Sequence, residues 1–212
     1  MSQYICVDIG GTSIKHGVLD ENAIIKECNQ TKTEAWLGGA AVLDKVKTIG
    51  KQYKEQYENI EGICISTAGM VDPEEGKIVF AGELMPGYTG TCIKKELEKA
   101  LEMPCEVEND VNCAGLAEYV SGSAKESHIM FCATVGTGIG GCAIVNGRVF
   151  HGASNSACEV GYIPMGDSDF QTLGASSILV RKVAEKKIEP LDMWDGKKIF
   201  ALAEKGDKVC IS

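Results

Sequence analysis

Near its start the chain carries Asp8-Ile9-Gly10-Gly11-Thr12-Ser13-Ile14-Lys15, a string whose residue types suit the handling of phosphate. Two adjacent glycines let the backbone take positive φ and approach a ligand with no Cβ in the way. Their N–H groups and the Thr12 hydroxyl can face phosphate oxygens, and Lys15 adds a positive charge. Asp8, at a strand end, is placed to hold a hydrated Mg²⁺ against those oxygens. Tyr4-Ile5-Cys6-Val7 before the string and His16-Gly17-Val18-Leu19-Asp20 after it both read as strands, so the string sits on a β-hairpin turn. A plain Gly-Gly turn would need none of the Asp, the Thr or the Lys.

Gly136-Thr137-Gly138-Ile139-Gly140-Gly141 formally satisfies Gly-x-Gly-x-x-Gly, and Glu159 lies near the distance expected of a ribose-binding acid. A dinucleotide loop must open a helix whose N-terminus holds the pyrophosphate. Here the loop leads instead into Cys142-Ala143-Ile144-Val145, an Asn146-Gly147 turn and Arg148-Val149, which read as strand, turn and strand. The segment Gly136–Gly141 is thus the turn of a second hairpin. Two such hairpins facing one cleft would grip a nucleotide's phosphates from both sides. A third candidate is Asp110, in Glu108-Asn109-Asp110-Val111-Asn112, where a strand end meets a helix start. By its place alone it reads as an ordinary helix N-cap. The helix dipole would keep it ionised and able to accept a hydrogen bond from a hydroxyl.

The elements that must position these residues follow from periodicity. Strands are expected at 4–8, 16–19 and 24–28, then a helix from Trp36 to about Tyr57 with Val42, Val46, Ile49 and Tyr53 on one face. Ile60 to Ser66 reads as a buried strand, and Ala68-Gly69-Met70-Val71-Asp72-Pro73 as turns. A helix over Thr91–Leu101 buries Ile93, Leu97, Ala100 and Leu101, Cys105–Glu108 is a strand, and Asp110–Tyr119 a helix. Ile129–Thr134 and Cys142–Val145 are strands. Three strands followed by alternating helix and strand predict a mixed sheet with helices on its faces.

With 212 residues, 44% of them hydrophobic, the chain can bury a core and form one large or two small domains. A net charge of −9 speaks against a nucleic-acid face or an anionic-membrane face. No apolar run approaches a membrane span, and Met1-Ser2-Gln3 leads straight into the first strand. The ten cysteines contain no Cys-x-x-Cys pair, and Cys6, Cys64, Cys132 and Cys142 lie in apolar strand-like runs where thiols behave as small buried hydrophobes. These features indicate a reduced, cytoplasmic protein without a disulfide framework.

The string from Asp8 to Lys15 resembles the first phosphate motif of the sugar-kinase, Hsp70 and actin superfamily, and in detail that of the ROK family of bacterial sugar kinases and related repressors. The resemblance implies an α/β, ribonuclease H-like two-domain fold with mixed sheets. Residues 1–118 would form the N-terminal domain and 119–212 an incomplete C-terminal one. It also implies ATP-dependent phosphorylation of a hexose or hexose derivative. Asp8, Gly10, Gly11, Thr12, Lys15, Thr137 and Gly138 would serve ATP, with Mg²⁺ near Asp8. Asn109 would bind a sugar hydroxyl and Asp110 would take the proton from the hydroxyl being phosphorylated. Gly69, Glu159 and Tyr162 complete the implied sugar site. The partners are then ATP and a small sugar, without nucleic acid or membrane, and a homodimer is compatible with the resemblance.

Four departures from the family pattern shape the expectations. Tyr162 stands where the family's segment Glu-x-Gly-His has its His. No cysteine follows in Asp169-Phe170-Gln171-Thr172-Leu173-Gly174-Ala175-Ser176, so no zinc is expected. The family's Asn-Leu-Pro loop is altered to Glu83-Leu84-Met85-Pro86-Gly87-Tyr88, which leaves glucose, a β-glucoside or N-acetylmannosamine equally open. Finally, Gly206-Asp207-Lys208-Val209-Cys210-Ile211-Ser212 reads as a helix C-cap, an N-cap and a new first turn, and the family's Gly-Gly adenosine motif has no match. The sequence thus reads as the front two-thirds of the pattern, a fragment or a natural truncation. A sugar-responsive repressor of the family would carry a DNA-binding domain ahead of the motif, where only seven residues precede Asp8. A non-catalytic sugar-binding module is the other alternative.

Overall fold

The computed structural model describes residues 1–82 and 85–211. Glu83 and Leu84 of the altered loop, and Ser212, lie outside the described residues. The chain divides into two compact units, the first comprising Met1–Ala114 with Gly152–Ser156, the second Gly115–His151 with Ala157 onward.

The first unit is built on strands β1 (Gln3–Ile9), β2 (Ser13–Asp20) and β3 (Ile25–Lys32), helix α1 (Gly39–Gln56) and strand β4 (Ile60–Thr67). It continues through β5 (Met70–Asp72), β6 (Lys77–Phe80), α2 (Ile93–Leu101) and β7 (Cys105–Asn109) into α3 (Asp110–Val120). The main sheet has the order β3-β2-β1-β4-β7. β1 and β2 form the expected antiparallel hairpin, whereas β1–β4 and β4–β7 pair in parallel. The sheet is mixed, as the sequence predicts. Strand alternation sorts its faces. Ile5, Val7 and Ile9 pair with Ile63, Ile65 and Thr67 and join one buried core with Val42, Val46, Ile49 and Tyr53 of α1 and Ile93, Leu97 and Leu101 of α2. Cys6 and Asp8 pair with Cys64 and Ser66 and point the other way.

Three expectations need correction here. Trp36 belongs to a short 3-10 turn over Ala35–Leu37, and α1 begins only after Gly38, whose φ of 88° interrupts the helical run. The turn-rich Ala68–Pro73 contains β5, which pairs with β6 as a second, two-stranded sheet. Only three β5 residues take part, too few for alternation to register in sequence. The strand cysteines are not uniformly buried either: Cys142 is, Cys6 and Cys132 are half-buried, and Cys64 is exposed. Thiols on the face opposite the isoleucines never enter the core.

The second unit holds strands β8 (Ile129–Val135), β9 (Ile139–Val145) and β10 (Arg148–Val149) in one antiparallel sheet. β11 (Pro164–Met165) and β12 (Ser168–Asp169) form a minimal hairpin ahead of helices α4 (Phe170–Gly174), α5 (Ser176–Lys187), α6 (Gly196–Glu204) and α7 (Lys208–Ile211). The glycine-rich segment turns over residues 136–138 and Gly140 and Gly141 already belong to β9, so the turn is shorter than expected. A dinucleotide loop is excluded, because a strand follows and no helix. A small core of Val183, Ala184, Trp194 and Ile199 unites α5 and α6. The expected final turn is present: Gly206 has a φ of 87°, and Asp207 Oδ1 accepts from the N–H groups of Val209 (3.0 Å) and Cys210 (3.1 Å). No described helix is long and apolar enough to cross a membrane.

Gly17, in the middle of β2, is required by closeness of approach. A Cβ there would lie 2.0 Å from the Glu27 carbonyl oxygen of β3, a backbone atom that cannot step aside. Gly17→Ala is expected to lower stability by about 2 kcal/mol, within the range for overpacking, with urea unfolding as the measurement.

Candidate functional site

In the first unit the candidate residues gather at the C-terminal ends of the parallel strands β1, β4 and β7. The phosphate string turns between β1 and β2, where the Gly10 N–H donates to the Ser13 carbonyl at 3.1 Å. Neither Gly10 nor Gly11 takes positive φ, contrary to expectation, because this turn closes without it. What glycine supplies is bareness: a Cβ at Gly11 would find no atom within 4 Å, and one at Gly10 would touch the Ser13 carbonyl at 3.0 Å. Thr33, fully buried just after β3, fixes the turn from inside. Its hydroxyl donates to the Gly10 carbonyl at 2.6 Å, and its N–H to the Thr12 carbonyl at 3.1 Å.

Asp8 and Lys15 are direct cross-strand partners, and Lys15 is exposed. Ser66, opposite Asp8 on β4, donates its hydroxyl to Asp8 Oδ1 at 2.8 Å. This holds the half-buried carboxylate in one orientation and leaves its second oxygen for a hydrated cation. The donor set is of hard oxygens, the kind Mg²⁺ takes through water.

At the end of β7, Asn109 is the true cap of α3. Its Oδ1 accepts from the N–H groups of Val111 (2.9 Å) and Asn112 (3.1 Å). Its Nδ2 donates to the Gly69 carbonyl (2.9 Å) and to Asp110 Oδ1 (3.0 Å). The amide has two donors and two acceptor sites, so these four bonds use its capacity fully. Asp110 Oδ1 also accepts from the Val111 N–H at 2.9 Å. Gly69 follows β4 with a φ of 101°, and a Cβ there would lie 2.7 Å from the Phe80 carbonyl oxygen. A glycine is therefore obligatory at the point where Asn109 reaches across.

The helix start does not lower the Asp110 carboxyl, contrary to the expectation from its dipole. Its carboxyl is raised above the usual value, first by desolvation among the strand ends and then by the like charge of Asp8. The Val111 N–H and Asn109 Nδ2 pull the other way without prevailing. The Cys113 thiol, one turn into α3, is pushed up to about 12 by burial and then by Glu108, Asp110 and Asp8, so it stays protonated.

In the second unit the β8–β9 turn is tied to the start of α5. The Ser176 N–H donates to the Gly136 carbonyl at 2.9 Å, and the Ser177 hydroxyl to the Thr137 carbonyl at 2.7 Å. Gln171 of α4 places its side-chain oxygen beside two glycines, 2.9 Å from a Cβ built at Gly138 and 3.2 Å from one at Gly161. Glu159 is half-buried and stands just before the short 3-10 turn Val160–Tyr162, where Tyr162 is exposed. Sequence reasoning named Thr137, Gly138, Glu159 and Tyr162 but missed Gln171, Ser66 and Thr33. A buried threonine after an exposed strand is the only signal that could have flagged Thr33; the others show nothing until register is known.

Among the described residues no three His, Cys, Asp or Glu side chains are grouped to hold a metal by themselves. Elemental analysis of the purified protein is expected to find no stoichiometric zinc, and one zinc per chain would contradict the reading of Tyr162.

Comparison with known proteins matches residues 4–211 to the family model described as "ROK family". An uncharacterized protein of Clostridium perfringens is 48% identical over 211 residues, covering 99% of this chain and 71% of that one. A β-glucoside kinase of Klebsiella pneumoniae is 31% identical over 211 residues, covering 96% and 69% respectively. Among solved structures, a ROK family glucokinase from Streptomyces griseus in complex with glucose and AMPPNP superimposes with a TM-score of 0.84 at 26% identity, covering 99% of this chain and 73% of that one.

The raised Asp110 carboxyl has a consequence for stability. Folded protein binds this proton more tightly than unfolded chain, so the contribution is present below the ordinary value of 3.8 and is lost as pH rises through the folded value. Asp110→Asn keeps an oxygen for both hydrogen bonds and removes the charge. It is expected to be more stable than the parent at neutral pH, with the difference shrinking toward pH 4, in urea unfolding at several pH values.

Proposed function

The chain belongs to the ROK family, and from that premise we propose that it is an ATP-dependent kinase of a hexose or a substituted hexose. The observation that carries this reading is the Asp110 carboxylate, whose Oδ1 is held by the Val111 N–H and the Asn109 amide at a strand-to-helix junction. A carboxylate fixed at one oxygen can present the other to a sugar hydroxyl in a constant direction. Its raised proton affinity brings it nearer the operating pH of a general base. Phosphoryl transfer asks mainly for alignment and charge neutralisation, so a modest base suffices.

The other roles follow from the chemistry of each residue. The turn Gly10-Gly11-Thr12 offers backbone N–H groups and a hydroxyl to ATP phosphates, with Lys15 adding charge. Thr137 and Gly138 offer the same on the second hairpin. Asp8 would hold Mg²⁺ through water, and the ion when bound neutralises phosphate charge. Asn109, its amide committed to Gly69, Asp110 and the start of α3, acts on the sugar through Asp110. Glu159 offers a carboxylate to sugar hydroxyls, and exposed Tyr162 offers a phenol. A bulky phenol in place of an imidazole favours a substituted sugar, in line with the β-glucoside kinase similarity. The absence of any long apolar helix among the described residues accords with a cytoplasmic place for such an enzyme.

The test couples ADP release to a panel of hexoses, N-acetylhexosamines and β-glucosides, alongside calorimetric titration with the sugar alone. Turnover is expected with at least one substrate. Asp110→Asn is expected to lower kcat by about 100-fold or more while leaving sugar affinity within a few fold. Sugar binding without ADP release from the parent would instead identify a non-catalytic sugar-binding module. Neither binding nor turnover would overturn the reading.

A further inference from the structure

Cys6 on β1 and Cys64 on β4 are direct partners in the parallel register of the main sheet. Both side chains stand on the face away from the isoleucine core, one rung of alternation before Asp8 and Ser66. Paired strands lie about 4.8 Å apart, within the Cα separation of about 4.4–6.8 Å that a disulfide spans. Cys64 is exposed and Cys6 half-buried, which gives a small oxidant access to the first with the second behind it.

We propose that Cys6 and Cys64 form an oxidisable pair, in which Cys64 reacts with a peroxide and Cys6 resolves the product to a disulfide. This goes beyond the kinase reading and does not depend on it.

Access assigns the order, with Cys64 exposed and Cys6 less so. The neighbouring Cys6 thiol holds Cys64 down to about 7, against the opposing effect of partial burial. Cys6, half-buried beside it, is placed to resolve the product. The thiolate is the nucleophile in such chemistry. Cys113, the third thiol whose charge reaches Cys6, stays protonated and does not compete.

In the first step the Cys64 thiolate attacks one peroxide oxygen, the O–O bond breaks and an S–O bond forms. The released hydroxide or alkoxide takes a proton, leaving a sulfenic acid. In the second step Cys6 gives up its proton, its sulfur attacks the Cys64 sulfur, the S–O bond breaks and water leaves. Two thiols have lost two electrons and two protons to one peroxide.

The experiment treats the folded 212-residue chain with limiting hydrogen peroxide, blocks remaining thiols with a maleimide and maps the digest by mass spectrometry. The expected product is a peptide pair joined through Cys6 and Cys64. Cys6→Ser should arrest the reaction at a dimedone-reactive Cys64, and Cys64→Ser should leave Cys6 reduced. Brief alkylation of the unmodified chain should label Cys64 about tenfold faster than exposed Cys28, in keeping with the lowered Cys64 thiol. Labelling of Cys64 no faster than Cys28 would overturn the proposal, as would cross-links formed mainly through Cys113. The alkylation and cross-link map use the unmutated chain, so they decide the matter even where a serine variant fails to fold.

Discussion

One side-chain amide sets the constraint on which the first unit's candidate site depends. Asn109 ends β7, caps α3, grips the carbonyl of Gly69 and steadies Asp110, with four hydrogen bonds between 2.9 and 3.1 Å. Each bond fixes something the others need. The cap sets where α3 starts, hence where Asp110 sits in its first turn. The bond to Gly69 draws the segment after β4 to the end of β7, so strands adjacent in the sheet are also tied beyond their last ladder bond. A half-satisfied amide at this junction would leave polar atoms unpaired in a crowded place, which costs more than the bonds themselves contribute.

The two glycine turns show a second, related economy. Each is held by a hydroxyl from an element that carries no ligand-facing residue named by its motif: Thr33 for the β1–β2 turn, and Ser177 for the β8–β9 turn. Both hydroxyls donate to carbonyls, so they settle the direction of the turn's C=O groups and, by the planarity of the peptide, of its N–H groups. The rigidity a phosphate-binding turn requires therefore comes from outside the glycines.

Much of this was readable beforehand. The alternation of Ile5, Val7 and Ile9, the α1 face of Val42, Val46, Ile49 and Tyr53, and the α2 stripe each declare a period that the core then uses. The hairpin beneath the phosphate string, the strand after Gly138 and the final Gly206–Asp207 caps rest on equally local signals. The missed features are those whose cause lies far away in sequence. β5 and β6 are too short for periodicity and exist through their pairing. The proton affinity of Asp110 depends on Asp8, about a hundred residues earlier, and on burial that only the folded strand ends create. The exposure of Cys64 follows from which face of β4 meets the helices, a choice made by its isoleucines.

That division of faces also bears on how such a sequence can change over evolutionary time. β1 is written in a two-letter alternation, Ile5, Val7 and Ile9 inward, Cys6 and Asp8 outward. Insertion or loss of one residue ahead of Asp8 would shift this alternation by one, turning the carboxylate toward the helices and the isoleucines to the open side. Core and chemistry are thus encoded in the same strand and must mutate in step. The stretch from Gln3 to Ile9 is therefore confined to substitutions that preserve its count.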